Sequence, residues 1–167
     1  MDKRYLLILI MIIVCCINLS IIVNNSDVVG SASVSVGKYL FSVPEGFDLH
    51  ENNGNSAILK NNENKITITF ECNLSDSDNY DTRLGYMEND TKYTVLSKGS
   101  LTVENIHVDT VYYQTRDNVN KSAFYFEKDD APFKIDISNF NYNNDQNLTL
   151  DYVSHLIQST HLDYKSY

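Results

Sequence analysis

The chain has 167 residues, with 13 Lys or Arg against 22 Asp or Glu, a net charge of −9. That balance argues against binding nucleic acid or an anionic membrane surface, since both need a basic face. The length beyond the first 24 residues suits one domain with its own core, and the single cysteine there, Cys72, excludes an internal disulfide.

Residues 5–23 (YLLILIMIIVCCINLSIIV) carry no charge and follow Asp2, Lys3 and Arg4. At about 1.5 Å per residue the run spans roughly 28 Å, one hydrocarbon thickness. Only Asn18 and Ser20 interrupt it, both near one end. The pattern predicts one transmembrane helix, a signal anchor in contact with membrane lipid over 5–23. Lys3 and Arg4 put residues 1–4 in the cytoplasm and everything from Ser26 onward outside the cell membrane. The alternative is a cleaved secretory signal and a secreted domain. Gly30-Ser31-Ala32 offers a small-residue site, but it lies well beyond the apolar run, and that run exceeds the usual length of about 7–15 residues. A lipobox fails because Val14, not a small residue, precedes Cys15. A buried core helix would show a polar face, and this segment has none.

Without Asp2, Lys3 and Arg4 the remainder holds 11 basic and 21 acidic residues, a net of −10, compatible with an extracellular, soluble surface. The lone Cys72 and the abundance of Asn, Ile, Tyr and Lys point to a prokaryote with an AT-rich genome. N-x-S/T triplets at Asn24, Asn73, Asn89, Asn120 and Asn147 are candidate glycosylation sites, although an Asn-rich chain produces several by chance.

Residues 24–37 (NNSDVVGSASVSVG) read as a stalk, which places the domain over 38–162 and a short tail over 163–167. Tyr39, Phe41 and Val43 alternate with polar or smaller neighbours as a strand does. Pro44-Glu45-Gly46 turns the chain, and a second short strand returns over 47–50. Asn52 to Asn55 signal a hairpin before a strand at Ala57, Ile58 and Leu59. Ile66, Ile68 and Phe70, alternating with Thr67, Thr69 and Glu71, make the clearest strand in the chain. From Asp78 the spacing becomes helical, with Tyr80, Leu84 and Met87 on one face, Ser77 or Asp78 as cap, and Gly85 as a weak point. Strands follow over 93–96, after a Lys98-Gly99 turn at Leu101 and Val103, and over 106–114, 123–127 and 133–138. Leu156 and Ile157, with Tyr152 or Val153, mark a closing helix over 148–161 capped by Asn147 or Thr149. Tight turns make the strands mainly antiparallel, and one apolar sheet face needs the two helices as cover. The predicted fold is α+β: a curved, mainly antiparallel sheet of about 6–8 strands with two packing helices.

The opening Val36-Gly37-Lys38-Tyr39-Leu40-Phe41-Ser42-Val43-Pro44-Glu45-Gly46-Phe47 resembles the first hairpin of PsbP-like domains, where an aromatic strand runs into V-P-x-G followed by Trp or Phe. The aromatic strands at Val111-Tyr112-Tyr113 and Ala123-Phe124-Tyr125-Phe126, and the closing helix around 153–157, fit the same order. Small archaeal and bacterial PsbP-related proteins behind one N-terminal membrane segment are similar in layout. The resemblance covers about 38–162. It implies an antiparallel sheet flanked by helices and an adaptor or assembly role rather than catalysis; the photosynthetic role of plant members does not carry over.

No catalytic, cofactor or metal motif stands out. His50, His107, His155 and His161 are scattered, and a spacing of six does not put His155 and His161 on one helix face. Asp76, Asp78 and Asp81 depart from the calcium loop, with Tyr80 at a ligand position and no Gly after it. Cys72 has no placed partner and reads as a small packed residue. The adjacent aromatics are the unusual feature. Tyr112 and Tyr113 point to opposite sheet faces, as do Phe124 and Tyr125, so one of each pair enters the core. The other either forms an exposed binding face for an envelope protein or glycan, or lies under a helix. The sequence thus favours a membrane-anchored, extracytoplasmic, non-catalytic module. A cell-surface hydrolase, marked by converging Asp, His or Cys72 in a deep pocket, and a secreted solute- or ion-binding protein are the alternatives.

Overall fold

The computed structural model describes residues 32–163. The 5–23 segment, its cytoplasmic flank, Asn24, the first part of the stalk and residues 164–167 lie outside the described residues. Among the described residues no helix is long and apolar enough to cross a membrane.

The elements run β1 (Ser33–Val36), β2 (Tyr39–Ser42), β3 (Phe47–Asn52), β4 (Ser56–Asn61), β5 (Thr67–Cys72), α1 (Tyr80–Asn89), β6 (Tyr93–Val103), β7 (Ile106–Thr115), β8 (Asn120–Lys128), β9 (Ala131–Ser138), α2 (Gln146–Ser159) and β10 (His161–Leu162). Seven strands form one antiparallel sheet in the order β3-β4-β5-β9-β8-β7-β6, and β1-β2-β10 form a smaller one. The fold is α+β, with two helices and a large antiparallel sheet.

Side-chain alternation divides the large sheet into two faces. Ile68 and Phe70 of β5 and Phe133, Ile135 and Ile137 of β9 point to one face. The small sheet covers it with Val34, Val36, Tyr39 and Phe41, and α2 with Val153, Leu156 and Ile157. On the other face Val111, Tyr113, Ala123 and Tyr125 pack against Met87, Leu84 and Tyr80 of α1. The two helices therefore cover opposite faces, because β7 and β8 are apolar on both.

Several expectations are corrected. Residues 33–36 are a strand, not the end of a stalk: Val34 and Val36 are buried and pair with Phe41 and Tyr39. Lys98-Gly99 does not turn the chain. β6 runs through it, held in register by β7, and absorbs Leu96 as a bulge between Val95 and Ser97. The turn falls at Glu104-Asn105, both with positive φ, as does the Asp129-Asp130 turn between β8 and β9; two-residue loops of this kind match strand twist. The helix caps also move. Asn79 Oδ1 accepts from the Thr82 N–H at 2.9 Å and starts α1, while α2 starts at Asp145. His161 leaves the helix and pairs with Leu40.

Two glycines make opposite demands. Gly37 has φ +60°, and a Cβ there would sit 2.8 Å from Cys72 Sγ; Gly85, inside α1, has open space around it. Gly37→Ala is expected to lower stability by about 1–2 kcal/mol, from left-handed strain and the contact. Gly85→Ala is expected to raise it by about 0.5–1 kcal/mol, by restricting the unfolded chain and improving helix propensity. Urea unfolding midpoints of the two variants check the opposed signs.

Candidate functional site

The four aromatics singled out in the sequence are all buried. Tyr112 and Phe124 enter the core under α2, where the Tyr112 hydroxyl meets Thr149 Oγ1 at 3.4 Å. Tyr113 and Tyr125 enter the second core under α1. Of the two alternatives the covered one holds, and the exposed binding face is not found: a helix covers each face and leaves Tyr112, Tyr113 and Tyr125 only 6–8% exposed. Among the candidate glycosylation sites, Asn73, Asn89 and Asn147 are exposed. The Asn120 amide is engaged instead, donating to the Phe140 carbonyl at 3.1 Å and accepting from Gln114 at 3.2 Å.

A concave site opens at one end of the sheet, where the loop after β5 faces the β8–β9 hairpin. It is a cleft of about 500 Å³. Asp76 and Asp81 reach it from the 3₁₀ turn (Asp76–Asp78) and the first turn of α1, Asp109 from β7 and Glu127 from β8. Half-buried Tyr80 is its aromatic wall; Tyr125, Phe126 and Phe133 border it but their rings are buried, and no Lys or Arg lines it. Local chemistry builds this rim. Ser75 Oγ donates to Asp78 at 2.6 Å, and Arg83 lies 3.5 Å from Asp78, so Asp78 holds the turn and leaves Asp76 and Asp81 to the cleft. Tyr80 stacks edge-on against Tyr125 at 5.7 Å, and its hydroxyl donates to the Thr110 carbonyl. Burial, and then the Asp109 charge, push the Tyr80 phenol above its ordinary value.

His107 lines the same cleft, with Nε2 at 3.1 Å from Asp109 Oδ1. Strand geometry explains the pairing, since residues two apart share a face. The other histidines are not brought to it: His50, His155 and His161 are exposed elsewhere. Cys72 is buried outside the lining, and burial raises its thiol. Among the described residues no three His, Cys, Asp or Glu side chains form a metal-holding group. A carboxylate-lined cleft with no basic residue in its lining suits a cationic group, which gains from the gathered negative charge.

Beneath α1 a smaller cavity of about 80 Å³ is lined by Tyr86, Tyr93, Tyr113, Tyr125, Lys134 and Asp136, among others. Lys134, 7% exposed, lies 2.7 Å from Glu71 and 2.8 Å from Asp136. Burial opposes its charge, but Asp136 and Glu71 outweigh burial and hold the ammonium well above the ordinary lysine value. Burial pushes Asp136 upward, against the pull of Lys134. The Tyr125 phenol is pushed up to about 12 by burial and by Asp136, so it stays neutral. Nothing local in the sequence marks this cluster: Glu71 and Lys134 meet only through the β5–β9 register.

No family model matches the chain, and no curated protein matches it. Among solved structures, the solution structure of the cyanobacterial PsbP (CyanoP) of Synechocystis sp. PCC 6803 aligns with 78% of this chain and 91% of its own, at TM-score 0.51 and 14% identity. A protein from Bacteroides thetaiotaomicron VPI-5482 aligns over 81% of this chain and 49% of its own, at TM-score 0.49 and 10% identity. A Pseudomonas aeruginosa protein of unknown function, PA94, aligns over 75% and 94%, at TM-score 0.45 and 9% identity. The first likeness shows a fold of PsbP type.

Lys134→Met tests the buried cluster. It leaves Glu71 and Asp136 together without a counterion and is expected to cost about 2–3 kcal/mol at pH 7, discounted for their partial exposure. Removing the lysine takes away what pulls the Asp136 carboxyl down, so its folded-state value rises further above the unfolded one. The folded variant then binds a proton the unfolded chain releases, and its stability should recover as pH falls from 7 toward 5. Urea midpoints across that range read the sign.

Proposed function

We propose that this protein is a membrane-anchored, extracytoplasmic, non-catalytic binding module of a prokaryotic cell envelope, built on a PsbP-like domain. Residues 5–23 hold it in the membrane with the N-terminus in the cytoplasm. The single observation that carries the binding role is the cleft formed by Asp76, Asp81, Asp109 and Glu127 around the Tyr80–Tyr125 pair. Its carboxylates favour a basic segment of an envelope protein and repel nucleic acid and anionic lipid.

A second reading, a cell-surface hydrolase, draws on His107 and Asp109, whose contact gives a candidate general base beside further carboxylates. Hydrolysis of a glycan or ester by the purified protein, abolished in His107→Ala, favours it over the first.

Affinity capture of the full-length protein from membranes tests the binding module. Wild type is expected to recover a partner with a basic segment. The double variant Asp81→Asn/Glu127→Gln is expected to hold it about tenfold less well, the equivalent of about 1.4 kcal/mol. Recovery of no specific partner by wild type sinks the reading. N-terminal sequencing of the mature protein tests the anchor: retention of residues 5–23 is expected, and a start near Ser33 refutes it.

A further inference from the structure

The large sheet has two edges, and they are built differently. β3 is six residues long, is bulged between Leu49 and Glu51, and exposes Asp48 and Glu51. Short length, a bulge and charge all discourage pairing of an edge with another strand. β6 is eleven residues long and contains no Asp or Glu. It is bulged at Leu96, but residues 97–103 keep an unbroken register with β7, and no other described strand pairs with their outer side. The two-residue loop at Glu104-Asn105 makes Val103 and Ile106 the hydrogen-bonded closing pair of the hairpin. Antiparallel pairs alternate, so Leu101 and Gly99 turn their N–H and C=O groups to β7. The Thr110 hydroxyl, which donates to the Gly99 carbonyl at 3.2 Å, agrees with that phase. The N–H and C=O groups of Lys98, Ser100 and Thr102 therefore point off the sheet, and all three residues are exposed.

The side chains of the same three residues stand on the cleft's face. Ser100 lies directly opposite Asp109, and Thr102 opposite His107; such pairs share a face. Lys98 is taken up by Glu88 of α1. Among the described residues, Asp76, Asp81, Asp109 and Glu127 make no ion pair with a Lys or Arg. Open backbone and unbalanced carboxylates thus meet along one stretch.

We propose that an extended segment of a partner protein adds to the sheet along residues 97–103, antiparallel to β6, with Lys or Arg at the two positions facing Ser100 and Thr102. This rests on the reading of the cleft as the site of a basic segment, and gives that segment its conformation and its pattern. Extended backbone is the ligand that an open row of donors and acceptors recognises, and charge selects which chain supplies it. The added strand lies about 4.8 Å outside β6 and about twice that from β7. A basic side chain opposite Ser100 or Thr102 crosses a small residue and carries its cation to Asp109 and the carboxylates beyond it, its stem lying along the sheet. The residue between the two points to the other face, beside half-buried Leu101, and is apolar. Lys98 disfavours a third basic residue opposite itself. Read from its N-terminus, the segment is basic, apolar, basic, any, and then neutral or acidic.

The probe is a fluorescent peptide, Thr-Lys-Val-Lys-Val-Thr-Thr, added to the full chain in non-ionic detergent micelles and followed by anisotropy. Wild type is expected to bind it saturably, and the amides of Lys98, Ser100 and Thr102 to gain hydrogen-exchange protection. Methylating the two lysine amide nitrogens keeps both charges but removes two donors to β6, and should weaken binding about tenfold. The protein is untouched in that comparison, so the loss does not depend on how any variant folds. Ser100→Pro removes one outward donor without breaking a bond to β7, and Asp109→Asn removes the nearest carboxylate; each should also weaken binding. So should Thr-Lys-Lys-Val-Val-Thr-Thr, in which adjacent lysines face opposite sides. Binding that falls in Asp81→Asn/Glu127→Gln but ignores methylation and leaves the β6 amides unprotected overturns strand addition while the basic-segment reading stands. Equal binding when both lysines are replaced by glutamine overturns the charge pattern. No binding of either lysine peptide overturns both readings.

Discussion

Phe133 is the contact on which the two sheets depend. Its ring meets Tyr39 of the small sheet edge-on at 4.8 Å, Phe70 of β5 at 5.6 Å and Phe126 of β8 in a parallel stack at 5.1 Å. Phe41 extends the cluster by packing on Phe70 at 4.5 Å. Geometries like these are worth about 0.5–1.5 kcal/mol per pair beyond burial itself. The larger effect is positional. Tyr39 and Phe41 are what attach a three-stranded sheet to the seven-stranded one, Tyr39 on Phe133 in the middle strand and Phe41 on Phe70 beside it. The Phe133 ring is fully buried, and the β8–β9 hairpin that carries Phe133 also carries Glu127 to the cleft, so core packing holds one side of the candidate site in place.

One residue further along β9 the chain does the reverse. Period two turns Lys134 to the opposite face, where Glu71 and Asp136 hold it. A buried ion cluster contributes little net stability compared with apolar packing, but it is costly to break, and this one specifies which strand lies beside β9. It also has an electrostatic consequence. Lys134 is the buried cation of the face that α1 covers, and its charge is balanced locally by two carboxylates. It therefore does little to neutralise Asp81, Asp109 and Glu127, and the cleft keeps its negative field.

What the sequence disclosed follows from how local each signal was. The 66–71 alternation and the Pro44-Glu45-Gly46 turn lie within a few residues, and both stand where the pattern puts them. β1 was hidden because SVSV offers only two apolar positions between small polar ones, too short a period to separate from a stalk. Lys98-Gly99 has the local chemistry of a turn, and only pairing with the ten-residue β7, distant in sequence, keeps it extended. Adjacent tyrosines at 112 and 113 did announce two apolar faces, but not which element covers the second. The cleft was beyond reach of any local pattern. Asp76, Asp81, Asp109 and Glu127 come from four places in the chain, and only the α1 packing and the β7–β8 register bring them to one rim. The one part with a local signature, SDSDNYD, looked like a solvated turn and a helix cap, which is half of what it does.

Acidity in this protein is thus a matter of placement more than amount. Negative charge is gathered at the cleft, balanced around Lys134, displayed along the β3 edge and absent from the residues of β6. A domain acidic merely for solubility has no reason to leave its longest strand bare of carboxylates while that strand stands at an open edge, since edge carboxylates are among the cheapest protections against unwanted pairing. The bare edge and the crowded cleft are neighbours: Ser100 and Thr102 of β6 pair directly with Asp109 and His107 of the cleft. A basic partner steered to the cleft by its carboxylates is therefore brought beside the open edge as well.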